Sequence, residues 1–298
     1  MGLKMRGSLT EPPHVIAALN NLVEEFDPKT WMWLVSYSGG KDSTLILLST
    51  LKLAEEHGFQ FAVVYNDCGG DLPELRSLVL KVLELIKDLG HKVYITRPEK
   101  TFFDYLLTKY SPPRWNFRWC CKRLKERPFK KLVYELSCSH KVLNILGLRR
   151  EEARWRNWRI RLVNENLVYA APLVDFTSDM VWRLLEEVCK LLDLTWIYQS
   201  LKEIYGGAER TGCWFCPLIL HDEMLKSRKQ LLELKIKVFT AWCSGRREEI
   251  LKLSREYPDL IKITIKEEEI KDLYPCKKRC SQCRIPLHLR MWFMDLTS

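Results

Sequence analysis

The stretch Ser38-Gly39-Gly40-Lys41-Asp42-Ser43 joins one apolar run to another, and its residue types suit phosphate. Two adjacent glycines let the backbone come close to an anion, and a helix starting there would present free N–H groups and its positive dipole end. The hydroxyls of Ser36, Ser38 and Ser43 and the ammonium of Lys41 add donors. Asp42, an acid in an anion site, makes sense with a divalent cation between it and the phosphates. The P-loop spacing fails, because Val35 stands where its first glycine belongs, and the dinucleotide fingerprint fails too. The plainer alternative is a tight turn that uses Gly and Asp for backbone reasons.

Cysteine is the second chemistry-bearing residue type. There are eleven, a high count for a reducing compartment, where disulfides are rare. Cys138, Cys189 and Cys243 fall singly in apolar helical patterns and read as small core hydrophobes. The adjacent pair Cys120-Cys121, the Cys213-x-x-Cys216 pair and the tail group Cys276, Cys280 and Cys283 point to metal or redox chemistry. Zinc held by Cys213 and Cys216 with two tail cysteines is one reading, although adjacent cysteines suit a tetrahedral zinc site poorly; inert packing is another. The tail cysteines, beside Lys277, Lys278, Arg279 and Arg284, are candidates for a relay thiol or a second metal knuckle, since basic neighbours lower a thiol pKa. Cys68 reads as a turn cysteine that could serve similarly. "RREEARWRNWRIR" (149–161) holds six arginines and two tryptophans, chemistry that suits phosphate clamping and base stacking. The bland counterpart is an exposed basic loop.

The elements that must position these groups follow from hydrophobic periodicity. Residues 14–27 read as an amphipathic helix and 32–37 as a strand running into the glycine turn, with a helix from Ser43 to about Glu56. Further strands are expected at 59–67, 91–96, 141–147 and 167–173, with helices at 73–89 and 123–137 between them. Strands alternating with helices predict a five-stranded parallel α/β sheet. In such sheets ligands bind beyond the carboxyl ends of the strands, which here are Ser38–Ser43, Asn66–Gly70, Arg97–Glu99 and Gly147–Arg154. Asp67, Arg149 and Arg150 therefore join the candidate site. Residues 1–200 form the expected nucleotide domain and 201–298 a helical, cysteine-bearing region.

At 298 residues and 47% hydrophobic the chain can bury a sizeable core, and its net charge of +10 favours a polyanionic partner such as nucleic acid. A charged, solvated surface of the kind found in proteins from hot environments would give the same excess. Residues 1–13 lack the apolar core of a signal peptide and no run approaches a membrane span, so a cytoplasmic protein without membrane contact is expected.

"YSGGKDST" (37–44) resembles the pyrophosphatase loop of the ATP pyrophosphatase superfamily, whose members cut ATP between the α- and β-phosphates. Within it, four stretches resemble the phosphoadenylylsulfate (PAPS) reductase family: "YNDCGGDLPE" (65–74), "WCCKRLKERPFKKL" (119–132), "GLRREEARWR" (147–156) and "APLVDFTSDMVWRLL" (171–185). The resemblance implies an adenine-nucleotide α-hydrolase-like (HUP) sheet with helices on both faces, ATP and Mg²⁺ at the loop, and Lys41, Asp42, Asp67 and Arg149 in catalysis. It also implies a [4Fe–4S] cluster on Cys120, Cys121, Cys213 and Cys216, as in adenylylsulfate reductases; four thiolates are what such a cluster requires.

Two departures refine this. The reductases generally lack an intact Ser-Gly-Gly-Lys-Asp-Ser loop, which this chain keeps. Their Glu-Cys-Gly-Leu-His-type tail is not found here. An ATP-competent loop with a cluster-type cysteine set looks like the sulfur-inserting relatives, the DNA-phosphorothioation sulfur-transfer proteins and the tRNA thiolation enzymes; "GCWFC" is especially similar to the former. The expectation is ATP-dependent sulfur transfer to DNA or tRNA, with a cysteine desulfurase as sulfur donor. A PAPS or adenylylsulfate reductase and a non-catalytic nucleotide-binding Fe–S subunit remain the alternatives.

Overall fold

The computed structural model describes residues 15–113, 117–152, 158–216, 228–264, 266 and 269. These fall into two compact units whose pieces alternate along the chain. One comprises residues up to 67, 71–97 and 125–212; the other comprises 68–70, 98–124 and 213 onward.

The first unit carries one sheet in the order β3-β2-β1-β4-β6-β5. Its strands are β1 (Trp31–Tyr37), β2 (Ala62–Asn66), β3 (Lys92–Thr96), β4 (Lys141–Leu146), β5 (Ile160–Asn164) and β6 (Leu167–Ala170). β1, β2, β3, β4 and β6 run parallel. That is the expected α/β architecture with one strand more than expected, since β5 pairs antiparallel to β6 at the edge. The addition has a physical reason. β5 is short and solvated, with Leu162 and Val163 exposed, so its five residues are too few to stand out as a strand beside the basic stretch that runs into them. Its first two residues, Ile160 and Arg161, are the last of the arginine-rich stretch 149–161, and a side-chain turn, Asn166 N–H to Asn164 Oδ1 at 2.9 Å, closes its hairpin.

Six helices build the rest of this unit: α1 (Val15–Glu25), α2 (Lys41–His57), α3 (Pro73–Asp88), α5 (Arg127–Ser137), α6 (Ser178–Leu191) and α7 (Thr195–Tyr205); α4 (Phe102–Thr108) belongs to the second. Val133 of α5, with Phe129, Leu132 and Leu136 beside it, packs on Leu34, Ala62, Val64, Val142 and Leu167 of one sheet face. The alternate residues Trp33, Val35, Val63, Leu143 and Ile145 are equally buried, as a sheet covered on both faces requires. α1 and α6 both pack against α2, and α3 against α7.

Two helix boundaries differ from expectation. α2 begins at Lys41, not Ser43, because Gly40 already adopts the extended cap conformation (φ −74°, ψ 157°). The predicted 123–137 helix is a π-helical turn, Cys121–Glu126, running into α5. Pro128 explains the widened turn, since it has no N–H for the carbonyl of Leu124 one turn back.

The second unit has an aromatic core. Phe102 stacks on Phe215 (centroids 3.8 Å apart) and on Trp119 (5.3 Å), and Trp119 stacks on Tyr110 at 4.6 Å. Asp104, fully buried, caps α4 with Thr101 and also accepts from Thr264 N–H at 2.7 Å. α8 (Lys229–Cys243) and α9 (Arg247–Glu256) complete it. No helix among the described residues is long and apolar enough to cross a membrane.

Candidate functional site

The glycine turn sits at the carboxyl end of β1, in the first unit. Gly39 takes a left-handed φ of 79°, and a Cβ there would stand 2.3 Å from Val79 Cγ2 of α3; glycine is the residue that fits. Ser38 N–H donates to Ser43 Oγ at 3.1 Å, and the Ser43 hydroxyl returns to Gly40 O at 3.0 Å. Gly40 caps α2 without a side chain. The loop is thus shaped by its own hydroxyls, with the start of the helix turned to a cavity of about 230 Å³. Ser38, Gly40, Lys41, Asp42, Ser43, Gly147 and Leu148 line it, and so do Glu152, Tyr205, Arg210 and Thr211. Ligand pockets for drug-sized molecules run to roughly 300–1,000 Å³, so this cavity is smaller than those.

Lys41 is fully buried and pairs with Asp42 (3.2 Å). Its Nζ also donates to Glu209 O at 3.2 Å, and its backbone N–H to Tyr205 Oη at 3.0 Å. Asp42 in turn binds Arg149, which is 4% exposed and also holds Glu151 and Glu152. Burial opposes the charge on Arg149, but the carboxylates of Asp42, Glu152 and Glu151 outweigh it and raise the guanidinium pKa. The expected phosphate ligand Arg149 therefore serves Asp42 in this arrangement. Burial pushes the Tyr205 phenol up to about 12, so it is neutral at pH 7.

The other expected members stand apart from the cavity lining. Ser36 donates to Asn144 Oδ1 on the sheet face at 2.8 Å. Arg150 pairs with Asp175 at 2.8 Å. Asp67 accepts from Arg76 (3.1 Å) and Arg97 (3.2 Å). Burial alone would raise its pKa; the two guanidinium groups win and hold it below the usual carboxylate range. Tyr205, Glu209, Arg210 and Thr211 were not foreseen from sequence. The signal that marks them is the glycine pair Gly206-Gly207, both left-handed (φ 52° and 89°), a bend that returns the chain after α7.

The second unit holds Cys68, Cys120, Cys121, Cys213 and Cys216, with Cys243 at the end of α8. Cys213 and Cys216 close a tight turn, Cys216 N–H donating to Cys213 O at 2.8 Å. Cys68, read above as a turn cysteine, has its Sγ 3.6 Å from that of Cys213, and Trp214 N–H donates to Gly70 O at 2.8 Å. Cys120 is buried; hydrogen bonding to Cys121, burial, and the charges of Cys121 and Cys216 all push its thiol far up. Lys235 of α8 is fully buried and donates to Cys216 O. Burial pulls it down to about 8, while Cys216 and Cys213 act in the opposite direction. Of the expected ligands, Cys120 neighbours Cys121 and feels the charge of Cys216, and Cys216 shares a tight turn with Cys213.

These residues fit a thiolate-bound metal group. Sulfurs that oppose one another's ionisation are relieved by a cation among them. Trp214, between the two cysteines in sequence, has a buried indole N–H without a partner among the described residues, a donor still to be satisfied. Cys276, Cys280 and Cys283, together with Arg154, Trp155 and Arg156, lie outside the described residues.

The sequence was compared with known proteins. Two Methanocaldococcus jannaschii proteins, the uncharacterized proteins MJ0066 and MJ0973, are 30% and 28% identical over 206 and 215 residues. The matched segments are 67% and 70% of this chain but 39% and 46% of those proteins, so the chain spans less than half the length of these curated relatives. Similar solved structures include PAPS reductase from Candida auris in a phosphate complex (18% identity, TM-score 0.46, 68% of this chain and 89% of that one). The U34-tRNA thiolase NcsA from Methanococcus maripaludis with its [4Fe-4S] cluster is another (14%, TM-score 0.42, 89% and 84%). The family model for the phosphoadenosine phosphosulfate reductase domain matches residues 32–219, well over half of the chain. With that match spanning the glycine loop, the sheet and the Cys213–Cys216 turn, this chain belongs to the phosphoadenosine phosphosulfate reductase domain family.

Proposed function

We propose that this chain is an ATP-dependent, AMP- and pyrophosphate-forming sulfur-transfer enzyme acting on nucleic acid, DNA or tRNA. The observation that carries the reading is the intact Ser38–Ser43 cradle, with Lys41 buried and a small cavity lined by the loop. A loop preserved in this form serves a substrate with a pyrophosphate to lose.

In this reading an acceptor oxygen of the nucleic acid attacks the α-phosphate and pyrophosphate leaves. Lys41 and the first-turn amides of α2 stabilise the charge that develops on the leaving group. Asp42, oriented by Arg149, would hold Mg²⁺, which when bound shields the phosphate oxygens. Cys120, Cys121, Cys213 and Cys216 would hold a [4Fe–4S] cluster, zinc being the alternative occupant. When bound, the metal supplies a soft Lewis acid for sulfur. A cysteine desulfurase is the proposed donor, and the cytoplasm the proposed compartment.

The test is pyrophosphate release from ATP by anaerobically purified full chain, with tRNA or DNA added, alongside iron, sulfide and zinc analysis. Lys41→Met should lower the rate by about 10²–10³, the usual cost of one charge-stabilising donor. Sulfite formation from PAPS without ATP cleavage would instead identify a reductase. Nucleotide binding without turnover would identify a non-catalytic subunit.

A further inference from the structure

The first turn of α2 is expected to offer its N–H groups to phosphate, yet in this structure two of the donors on Lys41 are already engaged. Its backbone N–H meets Tyr205 Oη at 3.0 Å and its Nζ meets Glu209 O at 3.2 Å. Tyr205 is the last residue of α7 and Glu209 lies in the short segment after it, which also supplies Arg210 and Thr211 to the cavity wall. The fit is close: a Cβ on Gly40 would lie 3.4 Å from Tyr205 Oη and 3.9 Å from Thr211 Oγ1. An oxygen 3.0 Å from a helix N1 amide occupies the position a phosphate oxygen takes.

Arg210 supplies the complementary half. The cavity is lined by two cations, Lys41 and Arg210, and two carboxylates, Asp42 and Glu152. Lys41 is neutralised by Asp42. Arg210 is exposed and has no carboxylate within ion-pairing distance among the described residues. A guanidinium in the lining of such a cavity, outside any ion pair among the described residues, is suited to bidentate capture of phosphate.

We propose that the 205–211 segment is part of the pyrophosphate site, with Arg210 and Thr211 as phosphate ligands and Tyr205 Oη as a placeholder that incoming phosphate displaces from the Lys41 amide. No bond is made or broken in this exchange; one hydrogen-bond acceptor replaces another. The left-handed pair Gly206-Gly207 separates Tyr205, at the end of α7, from Glu209–Thr211, so the phenol side chain can move without the segment that follows. The proposal rests on the phosphate-loop reading above and adds residues that lie outside every motif that reading used.

Calorimetric titration of the full chain with inorganic pyrophosphate tests it. Arg210→Gln should weaken binding by tenfold or more, and Arg210→Lys should recover part of the loss. Tyr205→Phe, which removes the competing oxygen and keeps the ring, should bind pyrophosphate several-fold more tightly. Arg210 is exposed and Tyr205→Phe removes one hydroxyl, so equal thermal melting of the variants is the control. Unchanged affinity in Arg210→Gln, or a tenfold loss in Tyr205→Phe, overturns the proposal while leaving the loop as a pyrophosphate site. Absence of binding by the unaltered protein, with the same absence in both variants, overturns the phosphate-loop reading together with it.

Discussion

At the scale of single residues, two charged groups are held by opposite means. Asp67 is kept ionised by Arg76 and Arg97, so its contribution to stability exists above its ordinary value near 3.8 and is lost as pH falls through the depressed folded value. Asp67→Asn should therefore destabilise the chain at neutral pH by up to about 1 kcal/mol, a bound set by two partly exposed partners. The gap should close under acid. Denaturant melts of both proteins between pH 7 and 2.5 measure it, and a gap independent of pH would contradict the ion-pair account. Lys235 is the reverse case, an ammonium enclosed beside thiols with a backbone carbonyl as its recorded acceptor. Negative charge on the cysteine group would compensate it. Lys235→Met should leave helix content unchanged and reduce the metal retained after desalting several-fold, read by elemental analysis.

At the scale of elements, the site depends on β4 ending against the first turn of α2. A Cβ on Gly147 would fall 2.8 Å from both the Asp42 carbonyl carbon and the Ser43 nitrogen. Those are backbone atoms and cannot rotate away. Gly147→Ala should cost about 1–3 kcal/mol and depress pyrophosphate release beyond what the lost stability explains; a melt and an assay on the same sample separate the two. The parallel strands were legible because central strands are apolar on both faces, as Trp33, Val35 and Leu143 illustrate. β5 was not, because its Ile160 and Arg161 continue the arginine-rich stretch, whose composition reads as a basic phosphate-binding segment. The loop residues Ser38 to Ser43 were legible because consecutive residues make the motif. Tyr205, Arg210 and Thr211 reach the same cavity from more than 160 residues away, and no spacing rule links residues brought together only by folding. Arg149 shows a third limit: its type and place were readable, but not that three acids would claim it.

At the scale of the whole molecule, a net charge of +10 has a measurable consequence if nucleic acid is the acceptor. Affinity for tRNA or DNA should fall by on the order of 10³-fold between 50 and 200 mM salt for about six neutralised phosphates. Filter binding across that range checks it, and a flat response would remove the electrostatic argument for such a partner. The second unit also sets a timetable. Cys68 and Cys213 are 145 residues apart in sequence, and a ribosome adds roughly 5–20 residues per second. Cys68 thus emerges about 7–30 s before the thiol it will rest against. During that interval β1, β2 and β3 have already left the ribosome, while the cysteine group is chemically incomplete. A nascent chain halted before Cys213 should accordingly react with a thiol-alkylating probe at Cys68, and one released past Cys216 should resist it.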